Sequence, residues 1–392
     1  MAGNGTSQRR DALAAAGRLL HSGHCLLRDR LRGPLAEGVP RDVAAVTPAW
    51  LDEVLQPSEP GVRVRSVTRV GGHSGTTTRA QLAIGYAGAT QGPSRLFLKI
   101  TPAGVAQRLF GHAMRLGEME VRFYREIAPS LTIRIPRAHA ARVNRDGSRF
   151  ALLLEDLSVD GTDFVEVGER IDLSRARAVM EALARLHAQL WESSRFTTEL
   201  AWVRSREGRA RELPLERFLS RRMIERAVQR QRGDAPEILR GAARLVCERR
   251  DELEACWSAG PRTLVHGDCH VGNLFFEGDA VGFLDWQVLA RAPGLRDVAY
   301  FLCNSLPSEL REQHEESLLA HYLDGLRTAG VDPPSPQEAW TGYRGFALYC
   351  WLAAAFTVGA GGLQAEGIAR AGLERANRAV ASLGSLELFG AR

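Results

Sequence analysis

Between residues 263 and 286 the chain reads TLVHGDCHVGNLFFEGDAVGFLDW, a short apolar strand, a polar loop and an apolar hairpin. No other stretch constrains the fold as much. His266, Asp268, Cys269, His270 and Asn273 sit between apolar strands, and burying such groups is costly unless each finds a partner. Glu277-Gly278-Asp279-Ala280 is the turn of the hairpin, and folding about it brings Asn273 and Asp285 nearly opposite each other. An amide oxygen and a carboxylate then converge at the open end of one hairpin, a hard-oxygen pair that suits Mg²⁺ with room for water and phosphate. Asp268 lies on the loop entering the same end, where a carboxylate beside a metal-bound phosphate can accept a hydroxyl proton. A zinc site built on His266, Cys269 and His270 is the rival, weakened because adjacent Cys269 and His270 chelate one ion poorly. A polar loop without chemistry is the bland alternative.

A second constraint comes from composition. Lys and Arg total 51, and a single one, Lys99, is lysine. In an arginine-dominated chain a retained ammonium invites a chemical explanation, because its hydration and geometry differ from those of a guanidinium. Lys99 has no GxxxxGK[ST] around it, which excludes a P-loop, and no GxGxxG opens a helix, so a dinucleotide-binding Rossmann domain is unsupported. In RLFLKI, Leu96, Leu98 and Ile100 face one way, and Phe97 and Lys99 the other. On the helix expected next, Glu120 shares the apolar stripe of Phe123, Tyr124 and Ile127, whereas Glu118 and Glu126 fall away from it. Carried inward, Glu120 needs a cation, and Lys99 is the natural partner, which can then hold the α- and β-phosphates of a nucleotide. The turn Gly71-Gly72-His73-Ser74-Gly75-Thr76-Thr77 offers backbone N–H groups and hydroxyls that can cradle phosphates, a weak signal on its own.

Along the chain, residues 8–32 read as an amphipathic helix, and Thr47-Pro48 as an N-cap and first turn. Alternating strands follow from 61, giving a three-stranded meander through RLFLKI. One helix is expected over roughly 104–128, closed by Pro129, then strands at 137–143 and 149–154, and mostly helix beyond 170. The fold class is α+β and bilobal: an N-terminal helical extension (1–45), a small β-rich N-lobe (46–157) and a larger helical C-lobe (158–392), with the cleft between lobes as the ligand site.

Several classes are excluded or unsupported. The six cysteines show no CxxC spacing, so neither a disulfide framework nor a zinc ribbon is indicated, and a reducing, cytoplasmic compartment is expected. Arg18 and His21 interrupt the N-terminal apolar run, against a signal peptide. The uncharged stretch 345–365 reaches membrane-span length, but its glycines favour a buried helix. With a net charge of +5 and an acidic stretch at 155–172 opposing an arginine-rich one at 204–232, nucleic-acid binding has no specific support.

HGDCHVGN and LDW together resemble the catalytic loop and metal-binding segment of the aminoglycoside phosphotransferase and choline kinase-like superfamily, small-molecule kinases with a protein-kinase-like fold. TPAWLDEVL, FYREIAP and LEDL resemble its ecdysteroid-kinase-like branch, and the likeness spans about 46–385. The resemblance implies Asp268 as catalytic base, Asn273 and Asp285 as Mg²⁺ ligands, Lys99 as the strand lysine paired with Glu120, and Glu155 to Leu157 within the adenine-binding hinge. It also implies that His187 and Asp297 brace the catalytic loop. The phosphate turn departs from the kinase pattern, being GGHSGTTTR with Gly72, Ser74, Gly75 and Thr76 as candidate contacts.

The expected function is an ATP- and Mg²⁺-dependent O-phosphotransferase acting on a hydroxyl of a small molecule, such as an antibiotic or other natural product. The alternatives are a catalytically inactive nucleotide-binding protein and a Schiff-base enzyme built on Lys99. For the acceptor, the acidic stretch would suit a polycation and the arginine stretch an anionic or neutral molecule. Tyr343, Tyr349 and Trp351 hint at a bulky, partly apolar one.

Overall fold

The computed structural model describes residues 2–73, 75–88, 92–158, 161–165, 171–206, 208, 212–231 and 236–391. α1 (Ala2–Arg30) leads through the two-residue ladder β1 (Leu35–Ala36) and β2 (Val39–Pro40) to α2 (Pro48–Leu55). Then come β3 (Val64–Gly71), β4 (Thr78–Tyr86), β5 (Arg95–Ile100), α3 (Val105–Ala113), α4 (Leu116–Arg122), β6 (Ala138–Val143) and β7 (Phe150–Glu155). The rest is helical apart from two short hairpin-like ladders. Its elements are α5 (Leu173–Gln189), α6 (Leu213–Arg230), α7 (Glu237–Glu248), α8 (Arg250–Cys256), β8 (Thr263–Val265), β9 (Leu274–Glu277), β10 (Ala280–Phe283), β11 (Ala290–Ala292), α9 (Leu295–Ser305), α10 (Ser308–Thr328), α11 (Pro336–Ala360) and α12 (Glu366–Ser382). The chain is α+β and bilobal.

The small-lobe sheet runs β3-β4-β5-β7-β6, antiparallel throughout. Strand alternation sorts its two faces. Leu82, Leu96, Leu98, Ile100 and Leu153 pack on one side against Trp50, Leu51, Val54 and Leu55 of α2. That helix starts where the sequence predicts, with Thr47 Oγ1 accepting from the Trp50 N–H at 3.2 Å. The other face, with Phe97 and Lys99, is left for the cleft.

The single helix predicted over 104–128 is broken. Arg115 takes a left-handed conformation (φ 52°) between α3 and α4, held by ion pairs to Glu118 at 2.7 Å and Glu212 at 3.7 Å. Phe123–Ile127 then widens into a π-helical turn, which stacks the Phe123 ring on Trp286 with centroids 4.0 Å apart. The expected inward face survives: Glu120, Phe123, Tyr124 and Ile127 are buried, while Glu118 and Glu126 pair with arginines outside.

α1 runs from Ala2 rather than residue 8 and ends at Arg30. It touches both lobes: Arg18 donates to the Ala113 carbonyl and pairs with Glu212, and buried Asp29 takes Arg149 and Arg108, each at 2.7 Å. Among the described residues no helix is long and apolar enough to cross a membrane. The uncharged stretch lies largely in α11, whose Tyr343 and Trp351 are fully buried in the helical core, bonded to Glu315 and Asn377. Those two aromatics therefore face no acceptor.

Candidate active site

β4, β5 and β7 set the upper wall of the cleft. Register places Arg79 directly opposite Lys99 across β4–β5, and Gln81 opposite Phe97. Lys99, 3% exposed, donates to Glu120 at 2.8 Å and to Asp285 Oδ1 at 2.9 Å; Arg79 holds the other oxygen of Asp285 at 3.0 Å. Glu120 also accepts from Gln287 at 3.3 Å. One ammonium thus joins a carboxylate of α4 to one of the large lobe. Burial pushes the Glu120 carboxyl above its ordinary value, against the pull of Lys99. For Asp285, desolvation is outweighed by Lys99 and Arg79, which hold it below the usual carboxylate range and therefore ionised.

The lower wall is the 263–286 hairpin. β9 and β10 pair as Leu274 with Phe283, which continues to Asn273 opposite Leu284, whose N–H donates to the Asn273 carbonyl at 2.8 Å. Asp285 is one residue further than a flat hairpin predicts and turns back through a left-handed conformation (φ 61°). Asn273 donates its amide to the Asp268 carbonyl and carboxylate at 2.9 and 3.1 Å, which leaves the amide oxygen for a cation.

The loop itself is pinned by buried polar groups. Asp297 on α9 accepts the N–H of His266 at 2.6 Å and of Gly267 at 2.9 Å, and His187 Nε2 at 3.3 Å; His187 Nδ1 meets the Tyr322 hydroxyl at 2.9 Å. Desolvation would raise Asp297, but the His187 hydrogen bond and the other donors hold its pKa down. Gly267 has φ +87°, and a Cβ there would meet the Val288 carbonyl oxygen at 2.3 Å, so the loop requires glycine at that position. His266 Nε2 donates to the Leu284 carbonyl at 2.6 Å and its Nδ1 accepts from the Asp268 N–H at 3.3 Å. Both nitrogens are spent, and the Cys269 thiol is fully buried with a pKa pushed well up by burial. The zinc alternative therefore lacks ligands.

A cavity of about 240 Å³ lies between the walls. Lys99, Glu120, Asn273 and Asp285 line it together with Glu155, Leu157 and Phe97. Glu155 offers it no free carboxylate, because Arg134 clamps both oxygens at 2.8 and 2.9 Å. Gly72, Gly75 and Thr76 do not border it: the Gly72 backbone folds against Arg79 and Ala80, where a Cβ would sit 2.2 Å from the Arg79 carbonyl oxygen. Ser74 lies outside the described residues. The sequence reading missed Arg79 and Gln287, and also Tyr300, whose phenol is driven well above its ordinary value by burial and then by the neighbouring Asp268 charge.

Asn273 and Asp285 fit a magnesium ion by donor type, one amide and one carboxylate oxygen on one wall. Among the described residues no three His, Cys, Asp or Glu side chains gather into a metal cage. Such a set matches an ion whose remaining ligands are phosphate and water.

The fold is that of the small-molecule kinases. Choline kinase from Cryptosporidium parvum Iowa II superposes with a TM-score of 0.50 at 14% identity, over 87% of this chain and 92% of that one. An aminoglycoside phosphotransferase candidate from Ralstonia eutropha JMP134 gives 0.50 at 15% identity, over 88% and 97%. No curated protein matches the sequence. Residues 73–330 match the ecdysteroid kinase-like family, and the chain belongs to it.

Proposed function

We propose that this protein is an ATP- and Mg²⁺-dependent O-phosphotransferase that phosphorylates a hydroxyl of a small molecule. The observation that carries the reading is the single cavity lined by Lys99, Glu120, Asn273 and Asp285, with Asp268 hydrogen-bonded to Asn273 at its edge. Lys99, fixed by Glu120, neutralises phosphate oxygens, and the backbone around Glu155 to Leu157 receives the base. Asn273 and Asp285 would hold the magnesium ion, which when bound supplies positive charge to the phosphates. Asp268 orients the acceptor hydroxyl and takes its proton as the new oxygen–phosphorus bond forms and the bond from the γ-phosphorus to the β,γ-bridging oxygen breaks, releasing ADP.

Coupled ADP release with a hydroxyl-compound library tests this. Asp268→Ala is expected to lower turnover by about a hundredfold or more while nucleotide still binds. Near-wild-type turnover in that variant contradicts the assigned role, and nucleotide binding by the wild type without turnover on any acceptor favours an inactive binding protein.

A further inference from the structure

A second, smaller cavity lies in the large lobe among residues 204–206, α8, β11, α9 and α11. Arg204, Arg206, Arg291 and Arg296 line it with Trp257 and Tyr349, and its volume is about 30 Å³. That is room for one small polar group rather than for a whole substrate. Two observations bear on what it could hold. The Nε atoms of Arg291 and Arg296 are buried and make no hydrogen bond within the protein, although Arg296 is only 9% exposed. A buried guanidinium donor without a partner is expensive, and such groups in folded proteins ask for a ligand. Among the described residues the one carboxylate on the cavity wall, Glu254, is already clamped by Arg217 and Arg250 at 2.7 Å each, which leaves Arg204, Arg206, Arg291 and Arg296 of the lining without a neutralising acid from it.

The arginines are also held in place. Arg296 lies over the Tyr349 ring at 4.3 Å and bonds its hydroxyl, and Arg291 lies over Phe196 at 5.3 Å. The backbone N–H of Arg291 donates to the Arg204 carbonyl, which ties β11 to the segment entering α6. The cavity is one aromatic ring from the chemistry. Tyr300, beside Asp268, follows Arg296 by one turn of α9, and its ring is 6.1 Å from that of Tyr349. Asp268 is thus linked to Arg296 through Tyr300 and Tyr349.

We propose that the acceptor alcohol carries a small anionic group, a carboxylate or a phosphate ester, which docks between Arg291 and Arg296 while its hydroxyl reaches Asp268. This inference rests on the phosphotransferase reading and names its acceptor class. Guanidinium forks match both anions in geometry and charge.

The test uses acceptors built on one carbon skeleton that end in a carboxylate, a phosphate ester or a neutral amide, followed by ADP release. One or both anionic forms should exceed the amide in kcat/KM by about tenfold or more, and which of them leads identifies the group. Arg291→Gln and Arg296→Gln should each raise the acceptor KM by about tenfold with little change in kcat; Arg378→Gln, an exposed arginine of α12, should leave it unchanged. A binding arm is independent of turnover: inorganic phosphate or acetate should stabilise the wild type against heat and lose that effect in Arg291→Gln, a half-buried position suited to the purpose if Arg296→Gln does not fold. Equal use of the amide with no effect of either substitution overturns the anionic acceptor and leaves the kinase reading standing. Anion stabilisation that disappears in Arg291→Gln, with no turnover on any acceptor, supports the anion site and defeats the kinase reading. Equal stabilisation of wild type and Arg291→Gln counts against the site.

Discussion

The two walls of the cleft are built by different physics. Below, Asp268 is placed by a scaffold of buried neutral and charged hydrogen bonds that ends in backbone: Asp297 grips two consecutive loop N–H groups, His187 bonds Asp297, and Tyr322 holds His187. Above, Lys99 is placed by ion pairs to side chains on two different elements, one of them in the opposite lobe. Backbone donors have no alternative partner, so the loop has one geometry. Charged side chains can trade partners, so the Lys99–Asp285 and Arg79–Asp285 contacts can yield to the phosphate and magnesium proposed to bind there. The proposed base is preorganised, and the proposed phosphate end is exchangeable.

The largest expected effect lies in the scaffold. Asp297→Ala leaves the His266 and Gly267 N–H groups buried without acceptors, each costing about 1–3 kcal/mol, so urea unfolding should shift by on the order of 5 kcal/mol once the orphaned His187 is included. The same carboxylate sets an acid limb. Its pKa is lowered in the folded protein, so its contribution is complete above the ordinary aspartate value of 3.8 and is lost as pH falls below that through the folded-state value. Asp297→Ala should flatten this limb in melting temperature against pH, and an unchanged limb would remove Asp297 as its origin.

Next in size is the upper wall. Lys99→Met leaves Glu120 buried without its cation and should destabilise by about 3–5 kcal/mol, whereas Lys99→Met combined with Glu120→Met should recover most of that without restoring nucleotide affinity. If the double variant stays as unstable as the single one, the loss does not come from Glu120 left buried without its cation. The smallest effect belongs to Arg79→Ala. That ion pair is partly solvated, so stability should change by about 0–1 kcal/mol, with the consequence confined to a weaker nucleotide KM.

The same contrast explains what the sequence made legible. Lys99 stood out because it is the one lysine, Glu120 because helical periodicity turns it inward, and Asn273 with Asp285 because a hairpin turn fixes their approach. Each signal is local. Arg79 carried none, being one arginine among fifty until the β4–β5 register set it opposite Lys99. Arg291 and Arg296 were equally invisible, since their place together on one cavity wall, with a donor left unmatched, is a product of long-range packing. The break at Arg115 escaped for a related reason: Glu212, one of the two acids that hold its left-handed turn, is remote in the chain. Periodicity did give the inward face of Glu120 correctly, because the helix on either side of the break keeps it.

The central claim is that Lys99 and Asp285 serve one nucleotide site. Calorimetric titration of ATP into the wild type, Lys99→Met and Asp285→Asn, with magnesium and with chelator, tests it most directly. The account predicts one equivalent bound by the wild type with a dependence on magnesium, affinity at least about tenfold weaker in either variant, and no magnesium dependence in Asp285→Asn. Wild-type affinity in both variants, with the magnesium dependence intact, would contradict it.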